Sequence, residues 1–82
     1  MHTEFGLEIA SDSMHTEVFA EIYLRGKFVA LVSQDKGLDH LVIEFPDAGI
    51  DESLVLREID MEEFRRTLLF ASAKLSGQSK GE

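Results

Sequence analysis

The residues best suited to chemistry lie in a short motif that occurs twice near the N-terminus. The chain begins MHTE and repeats the same four letters at residues 14–17, so the pair His2 and Glu4 is matched by His15 and Glu17. In a strand, residues two apart point to the same side. An imidazole beside a carboxylate is a common zinc ligand pair. Two paired strands carrying these motifs would therefore place four potential ligands together.

A second interpretation of the motif needs no metal, and we favour it. The first copy includes the chain terminus, where strands usually fray. The second copy begins within the polar connector at residues 11–15 and runs into the next apolar segment. A Thr-Glu lead into an apolar run is ordinary for the start of a strand. We therefore predict two strand starts, with no metal site and no cofactor.

Other catalytic groups are scarce. The chain has no cysteine, which excludes thiol nucleophiles, disulfides and thiolate zinc sites. No serine lies in a nucleophile-elbow pattern, and the turn glycines Gly26, Gly37 and Gly49 do not form a phosphate-binding loop. The acidic stretch at residues 47–52 lacks the ligand spacing of an EF-hand. We predict that the protein is not an enzyme and has no catalytic residues.

Length and charge narrow the class of protein. A chain of 82 residues forms one domain, predicted over residues 1–77, with a disordered tail at 78–82. Sixteen acidic and eight basic residues give a net charge of −8, which disfavours nucleic-acid and membrane-surface binding and favours a basic protein partner. Neither a long apolar run nor a signal-peptide pattern is present, so we expect a soluble, cytoplasmic protein.

Apolar alternation predicts an antiparallel meander of about five strands. Arg25 and Gly26 mark a tight hairpin turn, where glycine supplies the positive φ that such turns need. Pro46 begins the longest loop. The predicted strands lie within residues 3–10, 17–24, 27–34, 40–45 and 54–59.

A C-terminal helix completes the predicted α+β fold by packing on one face of the sheet. Asp60 is a good N-cap and Glu63 stands at the capping-box position. Ile59 and Phe64 occupy the positions of a hydrophobic staple. Gly77 is the predicted residue just after the helix. The predicted buried stripe consists of Met61, Phe64, Leu68, Ala71 and Leu75.

Two apolar surfaces exceed what one helix can cover. The second and third strands are apolar on both faces, so a curled sheet, a second copy or a partner should cover the second face. On a helical wheel, Phe70 lies about 180° from Met61, near Arg66 and Lys74. Phe70 is then either an exposed ring covered by the stems of these side chains or an anchor for a binding partner.

Acidic residues cluster in the long loop and the segment after it. Those at the start of the helix complement its dipole, but the loop acids have no such explanation and suit the steering of a basic protein. A homodimer that buries the second sheet face or the Phe70 side is the alternative. The predicted partner-binding residues are Asp47, Asp51, Glu52, Glu58 and Phe70.

Two runs, EIYLRGKFVALVSQDKGLDHLVIEFPD and DMEEFRRTLLFASAKL, carry a class-level resemblance. Across residues 4–76 the chain resembles small acidic immunity proteins of bacterial polymorphic-toxin and contact-dependent growth-inhibition systems. The resemblance implies neutralisation of a cognate toxin domain, often a basic nuclease, by acidic side chains that occlude its active site. It carries no shared motif and transfers no catalytic residue. The remaining alternative is a homodimeric structural or accessory domain.

Overall fold

Four strands and one long helix form the described part of the chain. The computed structural model describes residues 5–80, with side chains over 5–77. The sheet has the order β1-β2-β3-β4 and every neighbouring pair is antiparallel. The predicted α+β class, a meander followed by one helix, is confirmed. The elements are β1 (Phe5–Ala10), β2 (Phe19–Leu24), β3 (Lys27–Ser33), β4 (Val42–Glu44), a 3₁₀ turn (Glu52–Leu54) and α1 (Met61–Lys80).

The β2–β3 hairpin turns at Arg25 and Gly26, as predicted. Their φ angles are 52° and 82°, and Leu24 pairs with Lys27 across a two-residue loop. Two consecutive positive φ angles are the hallmark of the type I′ turn, whose twist matches that of paired strands. Glycine at the second position makes this conformation inexpensive.

A β-bulge lies close to this turn. Ile22 pairs with Ala30, and the next residue, Tyr23, pairs with Phe28, so Val29 has no partner of its own on β2. Bulges of this kind bend the strand and increase its twist. Val29 is buried in the core at 3% exposure. The apolar run of β3 is therefore explained partly by an extra core residue and partly by a second apolar face.

The predicted fifth strand over residues 54–59 is wrong. Val55 makes a single parallel bridge to Phe28, and the Leu56 N–H donates to the Phe28 carbonyl at 2.9 Å. β4 already pairs with the second half of β3, from Leu31 to Ser33. Only the Phe28 end of that edge remains for the later segment, which leaves no room for a full strand.

The helix begins as predicted but its first and last turns differ from the prediction. The Asp60 carboxylate accepts the Glu63 N–H at 3.0 Å, which confirms the N-cap. Met61 is 78% exposed because core contacts of the helix begin one turn later, at Phe64. The helix also continues through Gly77 to Lys80, so the predicted end at Gly77 is wrong. The domain limits of 1–77 and the tail at 78–82 stay predictions.

The core lies between α1 and one face of the sheet. The helix packs across β1, β2 and β3, where Ala71, Leu75 and Ile22 belong to one buried cluster, and all three are 0% exposed. Burial of this kind supplies most of the favourable free energy of a small domain. No helix in the described residues has the length and apolar character needed to cross a lipid bilayer.

Candidate functional site

The sheet face opposite the helix carries a line of carboxylates. Strand pairing places Glu8 of β1 opposite Glu21 of β2, Glu21 opposite Leu31 of β3, and Leu31 opposite Glu44 of β4. Glu8, Glu21 and Leu31 alternate with residues that pack in or against the core, and Glu44 pairs with Leu31, so the four side chains share the other face. We call Glu8, Glu21, Leu31 and Glu44 the carboxylate row, and the sheet face that bears it the open face.

Two aromatic rings lie beside the carboxylate row. Tyr23 and Phe28 are cross-strand partners, with ring centroids 5.6 Å apart in an edge-to-face arrangement. The Tyr23 hydroxyl donates to Glu21 Oε1 at 3.1 Å. Burial raises the pKa of Tyr23, and the hydrogen bond and charge of Glu21, with the charge of Glu8, raise it further. The phenol therefore stays protonated and continues to donate to the carboxylate at neutral pH.

The first two carboxylates of the row stand directly opposite each other. Like charges at such cross-strand positions destabilise a sheet. Within the described residues, no Lys or Arg forms an ion pair with Glu8 or Glu21. Among the described residues these two carboxylates thus lie without a cationic partner, next to the half-buried rings of Tyr23 and Phe28, an arrangement suited to binding a cation.

One end of the open face is covered by the connector between β1 and β2. The His15 ring packs on Phe19 with centroids 4.6 Å apart. Its Nδ1 lies 2.8 Å from Asp12 Oδ1 and its Nε2 lies 3.1 Å from Glu44 Oε2. The hydrogen bond to Asp12, then that to Glu44, raises the pKa of His15. We call His15, Asp12 and Glu44 the histidine clip.

A further carboxylate, that of Asp35, holds the same connector. Asp35, in the turn after β3, accepts the backbone N–H groups of Thr16 and Glu17 at 3.1 and 3.0 Å. Partial desolvation works to raise the pKa of Asp35, but these hydrogen bonds outweigh it and the pKa is lowered. The chain itself therefore supplies part of the cover that the second sheet face needs.

The second copy of the His-x-Glu motif does not open a strand as predicted. β2 begins at Phe19, so His15 and Glu17 precede the strand, and His15 contacts Asp12 and Glu44 instead of Glu17. The other copy, His2 and Glu4, lies outside the described residues. Among residues 5–77, no group of three potential ligands is arranged to hold a metal ion.

The predicted acidic loop is partly engaged in its own structure. The Asp51 carboxylate accepts the Ser53 N–H at 3.0 Å and the Ser53 hydroxyl at 2.9 Å, and these bonds lower its pKa. Glu52 receives two hydrogen bonds from Arg57, at 2.9 and 2.8 Å, and this pairing lowers the Glu52 pKa. Arg57 also donates to the carbonyl oxygen of Asp47. Two of the predicted steering charges thus have local partners.

Glu58 and Phe70 lie in separate places. Glu58 borders a shallow recess with Arg57 and Asp60. Phe70 is 57% exposed, with the Lys74 ammonium 5.9 Å from its ring centroid. Phe70 lines a groove of about 510 Å³ between the helix and β1, here called the Phe70 groove. This groove is formed by Phe5, Leu7, Glu63, Arg66, Thr67, Phe70 and Lys74.

Comparison with protein-family models, with curated proteins and with solved structures gives no significant match. The function must therefore be inferred from the residues and their geometry.

The carboxylate row and the histidine clip were not foreseen from the sequence. Glu8, Glu21 and Glu44 each look like the polar residue of an alternating strand, and only the register brings them into line. His15 and Glu44 are 29 positions apart. The signal available in the sequence was the alternation of polar and apolar residues, which places Glu8 and Glu21 on the face of each strand opposite its apolar residues.

Proposed function

We propose that the chain is a non-catalytic, acidic protein-binding module that binds a basic partner on its open face. The observation that carries this proposal is the pair Glu8 and Glu21, directly opposite each other beside Tyr23. A guanidinium or ammonium group placed there would relieve the repulsion, form charge-assisted hydrogen bonds and contact the ring face.

The dimensions favour a polypeptide over a single small cation. Glu8 and Glu44 are separated by three strand spacings, roughly 14 Å at about 4.8 Å each. A metal ion binds carboxylate oxygens at little more than 2 Å and needs several ligands around one point. A segment with two or three basic side chains could instead reach both ends of the carboxylate row.

The most concrete form of this function is that of an immunity protein. The net charge of −8 supports a basic toxin domain as the partner, because opposite charge raises the association rate. The carboxylates would occupy the part of the toxin that binds phosphate and block access to its active site. Of the loop acids, Asp47, Asp51 and Glu58 would then steer the encounter, while Glu52 is held by Arg57.

The binding surface can be tested with the intrinsic fluorescence of Tyr23. The chain contains one tyrosine and no tryptophan, so its emission reports on the open face. We expect a saturable emission change on titration with an aromatic-free peptide of alternating arginine and glycine. The double variant Glu8→Gln/Glu21→Gln should bind about tenfold more weakly, since it lacks both opposed charges.

A matched control separates the surface from general charge attraction. The double variant Asp39→Asn/Glu62→Gln removes the same formal charge at two exposed positions, one in a turn and one on the helix. It should bind the peptide nearly as well as the unaltered chain. Equal weakening of both double variants, or no emission change at all, would refute the open face as the binding surface.

The immunity role needs a separate test. If the protein encoded immediately upstream is a toxin, its toxic domain should bind this chain one to one and lose activity. The Glu8→Gln/Glu21→Gln variant should protect poorly, and Asp39→Asn/Glu62→Gln should protect normally. If the chain binds the peptide but neither binds nor inhibits the toxic domain, the open face would still be a binding surface and the immunity role would be refuted.

A further inference from the structure

A recess on the open face lies where β1 carries no side chain. Gly6 stands opposite Tyr23 in the β1–β2 register, and with Glu8 and Gly26 these residues line an open recess of about 470 Å³. Gly6 and Glu8 are two positions apart on β1, so they lie on the same face, and both are exposed. The recess therefore places a bare stretch of backbone between an aromatic ring and a carboxylate.

The glycine at this position is not required by the backbone. Among the described glycines, positive φ angles occur at Gly26 and Gly37 and not at Gly6, and the β1–β2 register is regular on either side of it. A Cβ atom at Gly6 would meet Tyr23 Cβ at 3.9 Å, which is an ordinary contact. Glycine weakens the interior of a strand and often marks a place where a ligand comes close to the backbone. The missing side chain thus leaves space without any gain to the fold itself.

The Tyr23 ring does not fill this space. No atom of the ring lies within 4 Å of the position that a Cβ would take at Gly6. The hydroxyl is instead held by Glu21, to which it donates, and Phe28 packs edge-to-face against the ring from β3. The side of the ring toward β1 is therefore open to a ligand.

We propose that the recess binds one arginine side chain of the partner, with the guanidinium stacked on Tyr23 and donating to Glu8. This inference rests on the proposed function and names the cation that the open face prefers. A guanidinium is planar, so it can place its face on an aromatic ring while its N–H groups point outward to a carboxylate. A lysine ammonium is compact and more strongly hydrated, and it cannot make both contacts in this way.

Glu8 is the carboxylate best placed to receive the guanidinium. Within the described residues no hydrogen bond or ion pair engages its side chain, whereas Glu21 already accepts the Tyr23 hydroxyl through one oxygen. Both Glu8 oxygens can therefore take part in the bidentate pairing that arginine makes with carboxylates. Gly6 and Glu8 are about 7 Å apart along the strand, which gives the guanidinium room between the bare backbone and the carboxylate.

Paired peptides test the preference for arginine. The aromatic-free peptide of alternating arginine and glycine and its lysine counterpart have equal length and charge, so calorimetric titration at one salt concentration compares the two side chains alone. The arginine peptide should bind about tenfold more tightly. Equal affinities would overturn the arginine recess and leave the open face as a binding surface for cations in general. If neither peptide binds, the recess falls together with the proposed function.

Filling the recess tests its position without changing any charge. Gly6→Val adds a side chain that suits a strand opposite Tyr23, and it should lower the affinity for the arginine peptide about tenfold, to that of the lysine peptide. Gly77→Val makes the same change on the exposed helix surface, where a Cβ meets nothing within 4 Å, and should leave both affinities unchanged. Gly6→Ala adds a single methyl group and should give a smaller loss, which keeps the test in force if Gly6→Val does not fold. Folded Gly6 variants that keep the full preference for arginine would overturn the proposal.

Amide chemical shifts locate the bound side chain independently. Gly6 and Gly26 line the recess, so their amide signals should shift on titration with the arginine peptide. Gly77, on the helix, is the internal control and should shift little. Shifts of equal size at all three glycines, or none at Gly6, would contradict an arginine bound in the recess.

Discussion

The two faces of the sheet are built from alternate residues of the same strands, yet they differ in what covers them. On the helix side, Ala20, Ile22 and Ala30 are fully buried beneath a continuous helix. On the open face, Tyr23 and Leu31 remain half-buried and the cover is a polar connector at one end. The helix side therefore carries most of the stability, and the open face can hold groups, such as opposed carboxylates, that a core could not accept.

The largest expected effect is on the helix side. Ile22→Ala should lower the free energy of unfolding by about 2–5 kcal/mol, because it removes buried methyl groups and leaves a cavity. Leu31→Ala, on the adjacent strand but on the open face, should cost distinctly less. Urea denaturation of both variants measures the difference. Equal losses would mean that the two faces contribute alike to stability and that the helix side is not the main source of it.

The histidine clip should make the stability of the open face depend on pH. The ring of His15 faces Asp12, Glu44 and, at longer range, Asp35, and it packs on Phe19. Its pKa is raised in the folded state, so its contribution is complete below the unfolded value of about 6.5 and is lost as pH rises through the folded pKa. Urea denaturation from pH 5 to 9 should show this decline.

The variant His15→Gln tests that assignment. It should reduce the free energy of unfolding by about 1 kcal/mol near pH 6, through lost hydrogen bonds and ring contact, and should abolish the decline at higher pH. Asp12→Asn should bring the His15 pKa back toward its ordinary value, as followed by NMR titration of the ring protons. A decline that persists unchanged in His15→Gln would assign the pH dependence to another group.

The opposed carboxylates predict a substitution of opposite sign. Glu21→Gln should raise the free energy of unfolding by about 0.2–1 kcal/mol, since it removes a like-charge cross-strand pair and an amide oxygen can still accept from Tyr23. The gain should fade in 0.5 M salt as the repulsion is screened. Thermal melts beside Glu62→Gln, a helix-surface control, provide the measurement. A loss of stability in Glu21→Gln would show that the opposed pair is not under strain.

The smallest expected effect is at the first turn of the helix. Met61→Ala should change the free energy of unfolding by less than about 0.5 kcal/mol, because substitutions of exposed side chains have small effects. Met61 is 78% exposed. Leu68→Ala, from the same predicted stripe but packed on the core, should cost several times more. Comparable losses for the two variants would mean that Met61 has a partner on the core side.

The features predicted correctly from the sequence are those specified by neighbouring residues. The Arg25–Gly26 turn and the Asp60 cap depend on a few adjacent positions, and strand alternation depends on short runs. The prediction that Met61 is buried was wrong. A helical wheel gives the direction in which a side chain points, but not where along the helix the contact with the sheet begins. The strand predicted over residues 54–59 was wrong because a strand also needs a free edge to pair with, and β4 already pairs with the second half of β3.

The candidate site was less predictable for the same reason. Glu8 and Glu21 become neighbours only through the β1–β2 register, and His15 meets Glu44 only after two further strands have formed. Phe70 was correctly expected away from the buried stripe, because its position on the helix depends on local spacing alone. The groove beside Phe70 could not be predicted, because the sequence does not say which strand lies at the edge of the sheet.

The extra residue at Val29 has a consequence for how this hairpin tolerates insertions and deletions. Had the pairing of Ile22 with Ala30 continued without interruption, Tyr23 would face Val29, Leu24 would face Phe28, and the turn would need three residues. The bulge absorbs one position, so the compact turn and the Tyr23–Phe28 pair coexist. A chain lacking Val29 would keep both and lose only a core side chain. A change of chain length at this point can therefore leave Tyr23 and Phe28 of the open face in place.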